Sequence, residues 1–132
     1  MKLSTLLTAM ALLAGSAGFA QAVPTITSMG LPTKTDTYGA CYVRNVGTRP
    51  VSLHVAALNN FSPGFIDPSW QNCNDVPLAP GRTCAFLIND LPDDVMFSCS
   101  ATLISGSPRY VRGSVEVRSI GDSRVTLAAD MR

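Results

Sequence analysis

Histidine, lysine and charge are scarce in this sequence, and each shortage limits the chemistry that the chain can perform. His54 is the only histidine, so zinc hydrolase sites built on two or more histidines are excluded. The sequence contains no G-x-S-x-G segment, no phosphate-binding loop and no dinucleotide-binding motif. Without Lys2, residues 23–132 keep nine of the ten basic residues against nine acidic ones, whereas nucleic-acid binders usually carry a basic excess. We therefore expect no catalytic residue, no metal, no cofactor and no nucleic-acid partner.

A hydrophobic run long enough to cross a membrane is also missing. The longest run, residues 3–14, follows Lys2 and is interrupted by serine and threonine, and a spanning helix needs about 20 apolar residues. Ala20-Gln21-Ala22 places small residues where a signal peptidase reads them. The pattern predicts a signal peptide over residues 1–22, cleaved before Val23, and one exported domain over residues 23–132. We expect that domain in the periplasm or the extracellular space, with no membrane span.

The four cysteines all lie in the exported part: Cys41, Cys73, Cys84 and Cys99. An even number of cysteines in an oxidising compartment indicates two disulfides. A four-cysteine zinc site is the alternative, but such sites usually contain close C-x-x-C pairs, and these cysteines are widely spaced. We therefore expect a disulfide-stabilised domain.

Strand patterns dominate residues 23–132. Apolar and polar residues alternate over 51–57, 111–118 and 124–129, which is typical of half-buried strands. Residues 40–46, 84–88 and 95–104 are further strand candidates, and glycine- and proline-containing turns separate the segments. The sequence predicts an all-β antiparallel sandwich of about seven strands.

Pro80-Gly81 predicts a type II turn, because proline presets the backbone at its second position and glycine accepts the positive φ at its third. We expect residues 76–78 and 83–86 to form a hairpin around this turn, which would bring Cys73 and Cys84 together. Cys41 would then pair with Cys99. The two other pairings of four cysteines remain open from sequence alone.

Several segments together resemble a group of small exported bacterial proteins whose function is uncharacterised. The similar segments are CYVRNVG, PLAPGRTC, CSAT and VRGSVEVR, within residues 40–129. The resemblance implies export and an immunoglobulin-like β-sandwich, and it carries no known activity. Cys41 and Cys99 are spaced like the inter-sheet disulfide of an immunoglobulin domain, but Phe97 stands where that fold has a tyrosine.

The segment NNFSPGFIDPSWQNCND, residues 59–75, is the strongest candidate for function. It carries Phe61, Phe65 and Trp70 among residues that interrupt regular structure. Such a loop either covers the open end of the sandwich, which we favour because Cys73 ties it down, or presents its aromatic rings to a partner.

The charges of the exported part are unevenly distributed, with aspartates in residues 59–100 and arginines in 101–132. We interpret them as ordinary solvated surface.

Three hypotheses for function follow. The first is a non-enzymatic binding or structural module of the cell envelope or extracellular space, with an unknown protein or glycan partner. The second is a subunit of a surface fibre, in which Val125, Leu127, Ala129 and Met131 would insert as a strand into a neighbour. The third is a small secreted hydrolase that uses His54.

Overall fold

The computed structural model describes residues 23–59, 65–74, 76–89 and 91–132. The predicted signal peptide and Phe61 lie outside the described residues. The described part forms six longer strands, four short ones and one turn of 3-10 helix. The longer strands are β3 (Thr37–Asn45), β4 (Ser52–Asn59), β7 (Thr83–Ile88), β8 (Met96–Ser105), β9 (Val111–Ser119) and β10 (Val125–Met131). The short strands are β1 (Thr25–Thr27), β2 (Leu31–Pro32), β5 (Phe65–Ile66) and β6 (Trp70–Gln71), and the helical turn is Pro108–Tyr110.

The strands form two antiparallel sheets. The first has the order β1-β8-β4-β5, with β2 also paired to β8, and the second has the order β10-β9-β3-β7-β6. The predicted all-β antiparallel sandwich is therefore confirmed. The strand count exceeds the expected seven because four strands contain only two or three residues, too few to show a period of two. The immunoglobulin-like relationship stays a prediction.

The core lies between the two sheets, where alternate side chains point inward. Along β8, Phe97, Cys99, Ala101 and Leu103 are buried, whereas the residues between them are partly exposed. This alternation follows from the pleat, which directs successive side chains to opposite faces. Burying each large apolar side chain contributes about 2 kcal/mol, so the inward rows of the long strands supply most of the cohesion.

The two predicted disulfides are both present, and none of the four cysteines is free. Cys41–Cys99 joins β3 of one sheet to β8 of the other. Cys73–Cys84 ties the residues after β6 to β7. The first disulfide thus links the two sheets through the core. The second holds the end of the aromatic-containing segment against β7.

The predicted hairpin of residues 76–78 with 83–86 is wrong, although its turn is correct. Gly81 has the positive φ of 73° that the turn requires, and the Arg82 amide donates to the carbonyl oxygen of Ala79 at 3.1 Å. Leu78, however, pairs with Val51 through two backbone hydrogen bonds. The antiparallel neighbours of β7 are β3 and β6, and the pairing with β6 still brings Cys73 to Cys84.

Residues 65–74 connect the two sheets at the side where β4 and β7 are the long outer strands. β5 pairs with β4 in one sheet, and β6 pairs with β7 in the other. The side-chain amide of Asn74 accepts from the Val55 backbone N–H at 2.7 Å and donates to the Val55 carbonyl at 3.1 Å. Since an unpaired strand edge invites association with other chains, the amide of Asn74 protects β4 as a neighbouring strand would.

Among the described residues, no helix is long and apolar enough to cross a membrane.

Candidate functional site: an arginine-lined cleft at one end of the sandwich

Antiparallel pairing gathers arginines from distant parts of the chain at one end of the sandwich. β3 ends where β7 and β9 begin, as the pairs Arg44↔Thr83 and Asn45↔Val111 show. β8 ends there too, because Ser105 pairs with Ser52 at the start of β4. The loops 46–50, 79–82 and 106–110 therefore meet at this end. The basic residues that these loops and the adjoining strand ends carry are Arg44, Arg49, Arg82, Arg109, Arg112 and Arg132.

Most acidic residues of the described part lie elsewhere, but Asp130 lines a surface depression together with Arg44 and Arg112. Asp36, Asp93, Asp94 and Asp122 stand in turns at the opposite end of the strands, where the Ile120 amide bonds to the carbonyl of Asp36 at 2.8 Å. In the part of the chain that the structure describes, the ion pairs are Arg118–Glu116 and Arg124–Asp122. Neither pair involves an arginine of the cleft end. Within the described ranges, that end therefore presents guanidinium groups that form no ion pair with a carboxylate.

Asn45, which is 0% exposed, organises the loops at this end. Its side-chain N–H groups donate to the carbonyl oxygens of Arg49 at 2.8 Å and Leu78 at 2.9 Å. Its side-chain oxygen accepts from the Gly47 amide at 2.9 Å. Its backbone carbonyl accepts from the Gly81 amide at 2.8 Å. One buried side chain thus holds the 46–50 loop against Leu78, and this hydrogen bonding fixes the position of Arg49.

A cleft of about 510 Å³ opens between the 46–50 and 106–110 loops. The Val46 amide donates to the Tyr110 carbonyl at 2.8 Å and so ties the two loops together. Gly106 has a φ of 102°, and a Cβ at this position would lie 2.7 Å from Cγ1 of Val51, so only glycine lets this loop approach β4 so closely. The side chains that line the cleft are Thr48, Arg49, Pro50, Val51, Ser107, Arg109 and Tyr110.

The cleft combines cationic, aromatic and hydroxyl groups. The guanidinium carbon of Arg109 lies 4.5 Å from the centre of the Tyr110 ring, a distance at which a cation is attracted to an aromatic face. Tyr110 itself is 40% exposed. Arginine binds phosphate, sulfate and carboxylate groups through paired hydrogen bonds in a planar fork. Arg49 and Arg109 both line the cleft and can supply such bonds to an anionic group, while Thr48, Ser107 and the Tyr110 hydroxyl offer neutral hydrogen bonds.

Two arginines, Arg44 and Arg112, lie directly opposite each other beside the cleft. Arg44 and Arg112 are direct partners in the β3–β9 ladder, and like charges in that relation destabilise a sheet. One nitrogen of Arg112 donates to the carbonyl oxygens of Arg109 at 3.0 Å and Val111 at 2.8 Å. These bonds hold Arg112 in place, and Asp130, which lines the same depression, offsets part of the positive charge of Arg44 and Arg112.

Arg118, on the same sheet but away from the cleft, shows the opposite situation. It forms an ion pair with Glu116 at 2.6 Å, and the hydrogen bond that Arg118 donates to the Glu116 carboxylate raises the pKa of Arg118 further above its usual value. Burial raises the pKa of Tyr42, whose ring lies 5.6 Å from the Arg118 guanidinium. The charge of Arg118 is therefore satisfied within the domain.

The aromatic residues predicted from the sequence lie away from the cleft. Phe65 belongs to β5 and pairs with Leu58. Trp70 belongs to β6, pairs with Leu87 near the end of β7 that is distant from the cleft, and is 53% exposed. The structure thus shows a large exposed ring at Trp70 and does not bring it together with the arginines. The choice between a covering loop and a binding loop stays a prediction.

His54 is exposed on β4, the outward position that the alternation predicted. Among the described residues, no group of three histidine, cysteine, aspartate or glutamate side chains could hold a metal ion. The arginine cleft was missed in the sequence because its residues are scattered over positions 44–112. The turns at Asn45-Val46-Gly47 and Gly106-Ser107-Pro108 mark two of the loops that form it, but a local pattern does not show that these loops meet.

Comparisons with protein-family models, with curated proteins and with solved structures find no match to this chain.

Proposed function

We propose that the protein is an exported, non-enzymatic binding module of the cell envelope or extracellular space, and that the arginine-lined cleft binds an anionic group on a protein or glycan partner. The observation that carries this proposal is the cleft itself, which Arg49 and Arg109 both line and in which neither forms an ion pair with another described residue. The signal-peptide pattern of residues 1–22 and the two disulfides support export, because disulfides persist in oxidising compartments.

The structural setting of the cleft favours binding, because its loops are held before any ligand arrives. The Asn45 hydrogen bonds and the close approach of Gly106 to Val51 position the loops on rigid strands. A surface that is already ordered loses less conformational entropy on binding than a flexible one. Arg49 and Arg109 form no ion pair with another described residue. No such ion pair therefore has to be broken before they contact a ligand.

Binding measurements with acidic probes test this proposal. The disulfide-bonded domain would be titrated with sulfated and uronic-acid oligosaccharides, a phosphorylated oligosaccharide and an acidic peptide, at two salt concentrations. Arg49→Ala and Arg109→Ala should each weaken binding of the best probe about tenfold or more, because a charged hydrogen bond is lost. Arg124→Ala is the matched control, since the Arg124 side chain is 81% exposed and lies at the opposite end.

The outcome also decides between the cleft and the aromatic segment. Unchanged affinity in both cleft variants would contradict the proposal, as would the absence of binding to every probe at low salt. If Trp70→Ala alone abolished binding, the partner surface would be the exposed edge at β6 and not the arginine cleft. Weakening by salt is expected in addition, since screening reduces attraction between exposed charges.

A further inference from the structure

A second arginine-lined surface, which we call the arginine depression, lies on the outer face of the sheet that contains β3, β7 and β9. It encloses about 300 Å³, and the side chains that line it are Tyr42, Arg44, Thr83, Arg112, Ser114 and Asp130. Arg44 is exposed between the buried residues Val43 and Asn45, so it points away from the core. Arg112 is exposed too and pairs directly with Arg44, which places both guanidinium groups on the same face.

The arginine depression adjoins the cleft through the turn between β8 and β9. Arg109 lines the cleft, and Arg112 lines the depression. Because only two residues separate them in the chain, their Cα atoms lie at most about 11 Å apart. The Arg112 side chain also bends back toward this turn, since one of its nitrogens donates to the carbonyl oxygen of Arg109 at 3.0 Å. A ligand that consists of several units can therefore contact both surfaces at once.

The two surfaces together carry an excess of positive charge. Their arginines are Arg44, Arg49, Arg109 and Arg112, and within the described ranges none of the four forms an ion pair with a carboxylate. Asp130 offsets one of the charges in the depression. A ligand with a single anionic group would leave most of these charges without a counterion, whereas a chain with regularly repeated acidic groups complements several of them.

The strands around the depression favour a glycan over an acidic peptide. An extended peptide that binds a sheet usually pairs with an unpaired strand edge, but β3 pairs with both β7 and β9, and β9 pairs with both β3 and β10. A ligand on this face therefore meets side chains and not backbone groups. The hydroxyl groups of Tyr42, Thr83 and Ser114 stand beside the arginines, and they both donate and accept hydrogen bonds, as the hydroxyls of a sugar require.

We propose that the ligand of the cleft is a linear glycan with acidic groups on successive sugar units, and that this glycan extends from Arg49 and Arg109 to Arg112 and Arg44. The inference rests on the function proposed above, because it names the ligand class of the same cleft. Arginine binds oxyanions through charged hydrogen bonds, so a polyuronic or a sulfated chain carries the required chemistry. One acidic unit occupies the cleft, and the units that follow it lie over the arginine depression.

The length of the glycan tests this inference. The disulfide-bonded domain would be titrated in a calorimeter with galacturonic-acid oligomers and with sulfated oligosaccharides, each as a disaccharide and as an octasaccharide. The acidic octasaccharide should bind about tenfold or more tightly than the disaccharide, because its further units make contacts within one already bound molecule. Its affinity should also fall more steeply with salt, since more charges are screened. A neutral glucan octasaccharide is the control and should not bind.

Two variants in the depression should change the affinity in opposite directions. Arg44→Ala leaves the bonds of Arg112 to Arg109 and Val111 in place, and it should weaken octasaccharide binding about fivefold without changing disaccharide binding. Asp130→Asn removes a like charge from the path of the glycan and should strengthen octasaccharide binding about twofold, a gain that a damaged fold would not produce. Arg124→Ala, at the opposite end, should change neither affinity.

The outcomes separate a failure of this inference from a failure of the proposed function. Suppose that the disaccharide binds through Arg49 and Arg109, but that the octasaccharide binds no tighter or is insensitive to Arg44→Ala and Asp130→Asn. This inference is then overturned, and the cleft remains a binding site. A decaglutamate peptide that binds as tightly as the octasaccharide would overturn the glycan assignment alone. Octasaccharide binding that Arg49→Ala and Arg109→Ala leave unchanged would contradict the proposed function, and this inference with it.

Discussion

Replacing Asn45 by alanine should destabilise the domain strongly, because the small side chain that is removed makes several buried hydrogen bonds. The change removes three hydrogen bonds, those to the carbonyl oxygens of Arg49 and Leu78 and that from the Gly47 amide. Each such bond contributes about 1 kcal/mol net, and Leu78 keeps its bond from Val51. Since water can reach some of the groups released at Arg49 and Gly47, we expect a loss of about 2–3 kcal/mol.

Urea unfolding, followed by far-ultraviolet circular dichroism and by the fluorescence of Trp70, the only tryptophan, measures this loss. For a domain of this size the melting temperature should fall by about 10 °C. Asn72→Ala is the matched control, because the Asn72 side chain is exposed and accepts one hydrogen bond, from the Ala85 amide at 2.8 Å. The control should cost less than about 1 kcal/mol.

Asn45→Asp provides a second, sharper comparison. Aspartate retains the size of asparagine and still accepts from Gly47, but its carboxylate faces two carbonyl oxygens that had received N–H donors. Burying a charge beside acceptors should cost more than alanine does. The reasoning would be refuted if Asn45→Ala were as stable as Asn72→Ala, or if Asn45→Asp were more stable than Asn45→Ala.

Three further perturbations test other parts of the structure. Asn74→Ala removes both hydrogen bonds to Val55 that protect the edge of β4, and it should lower the free energy of unfolding in urea by about 1–2 kcal/mol. Light scattering should show that this variant associates more than the unchanged protein. Equal association of the two proteins would contradict the conclusion that Asn74 protects β4. Opening Cys41–Cys99 by a double alanine change should cost about 4 kcal/mol and opening Cys73–Cys84 about 3 kcal/mol, so unfolding should rank the first as more damaging; the reverse order would refute this estimate. Because burial raises the pKa of Tyr42 above 10 in the folded state, the stability it contributes is present below about pH 10 and is lost as the pH rises through the folded pKa. Unfolding in urea between about pH 9 and 12 should therefore show a smaller alkaline loss in Tyr42→Phe, and identical profiles would contradict the assignment.

The sequence alone predicted most of the strand-forming segments and favoured the disulfide pairing that the structure shows, although two other pairings stayed open. Alternation over 51–57 and 111–118 predicted β4 and β9 because a strand buries one face and exposes the other. The same reasoning placed His54 outward. The cysteine pairs followed from a local argument about the Pro80-Gly81 turn. That argument reached the correct pairing even though residues 76–78 do not pair with β7, whose neighbours are β3 and β6.

Only the tertiary structure decided which distant residues share one end of the sandwich. Arg44, Arg49, Arg109 and Arg112 come together because β3, β8 and β9 begin or end there, and local periodicity does not encode which strands pair or in which sheet. The same applies to Asn45, whose partner Leu78 lies 33 residues away, and to the two-residue strands β5 and β6, which exist only because long strands lie beside them. The alternation over 124–129 did not predict the burial of β10, whose residues are mostly exposed. The inward and outward faces of β9 follow from the local pattern, whereas the cleft and the protected edge of β4 arise from contacts that form only when the whole chain has folded.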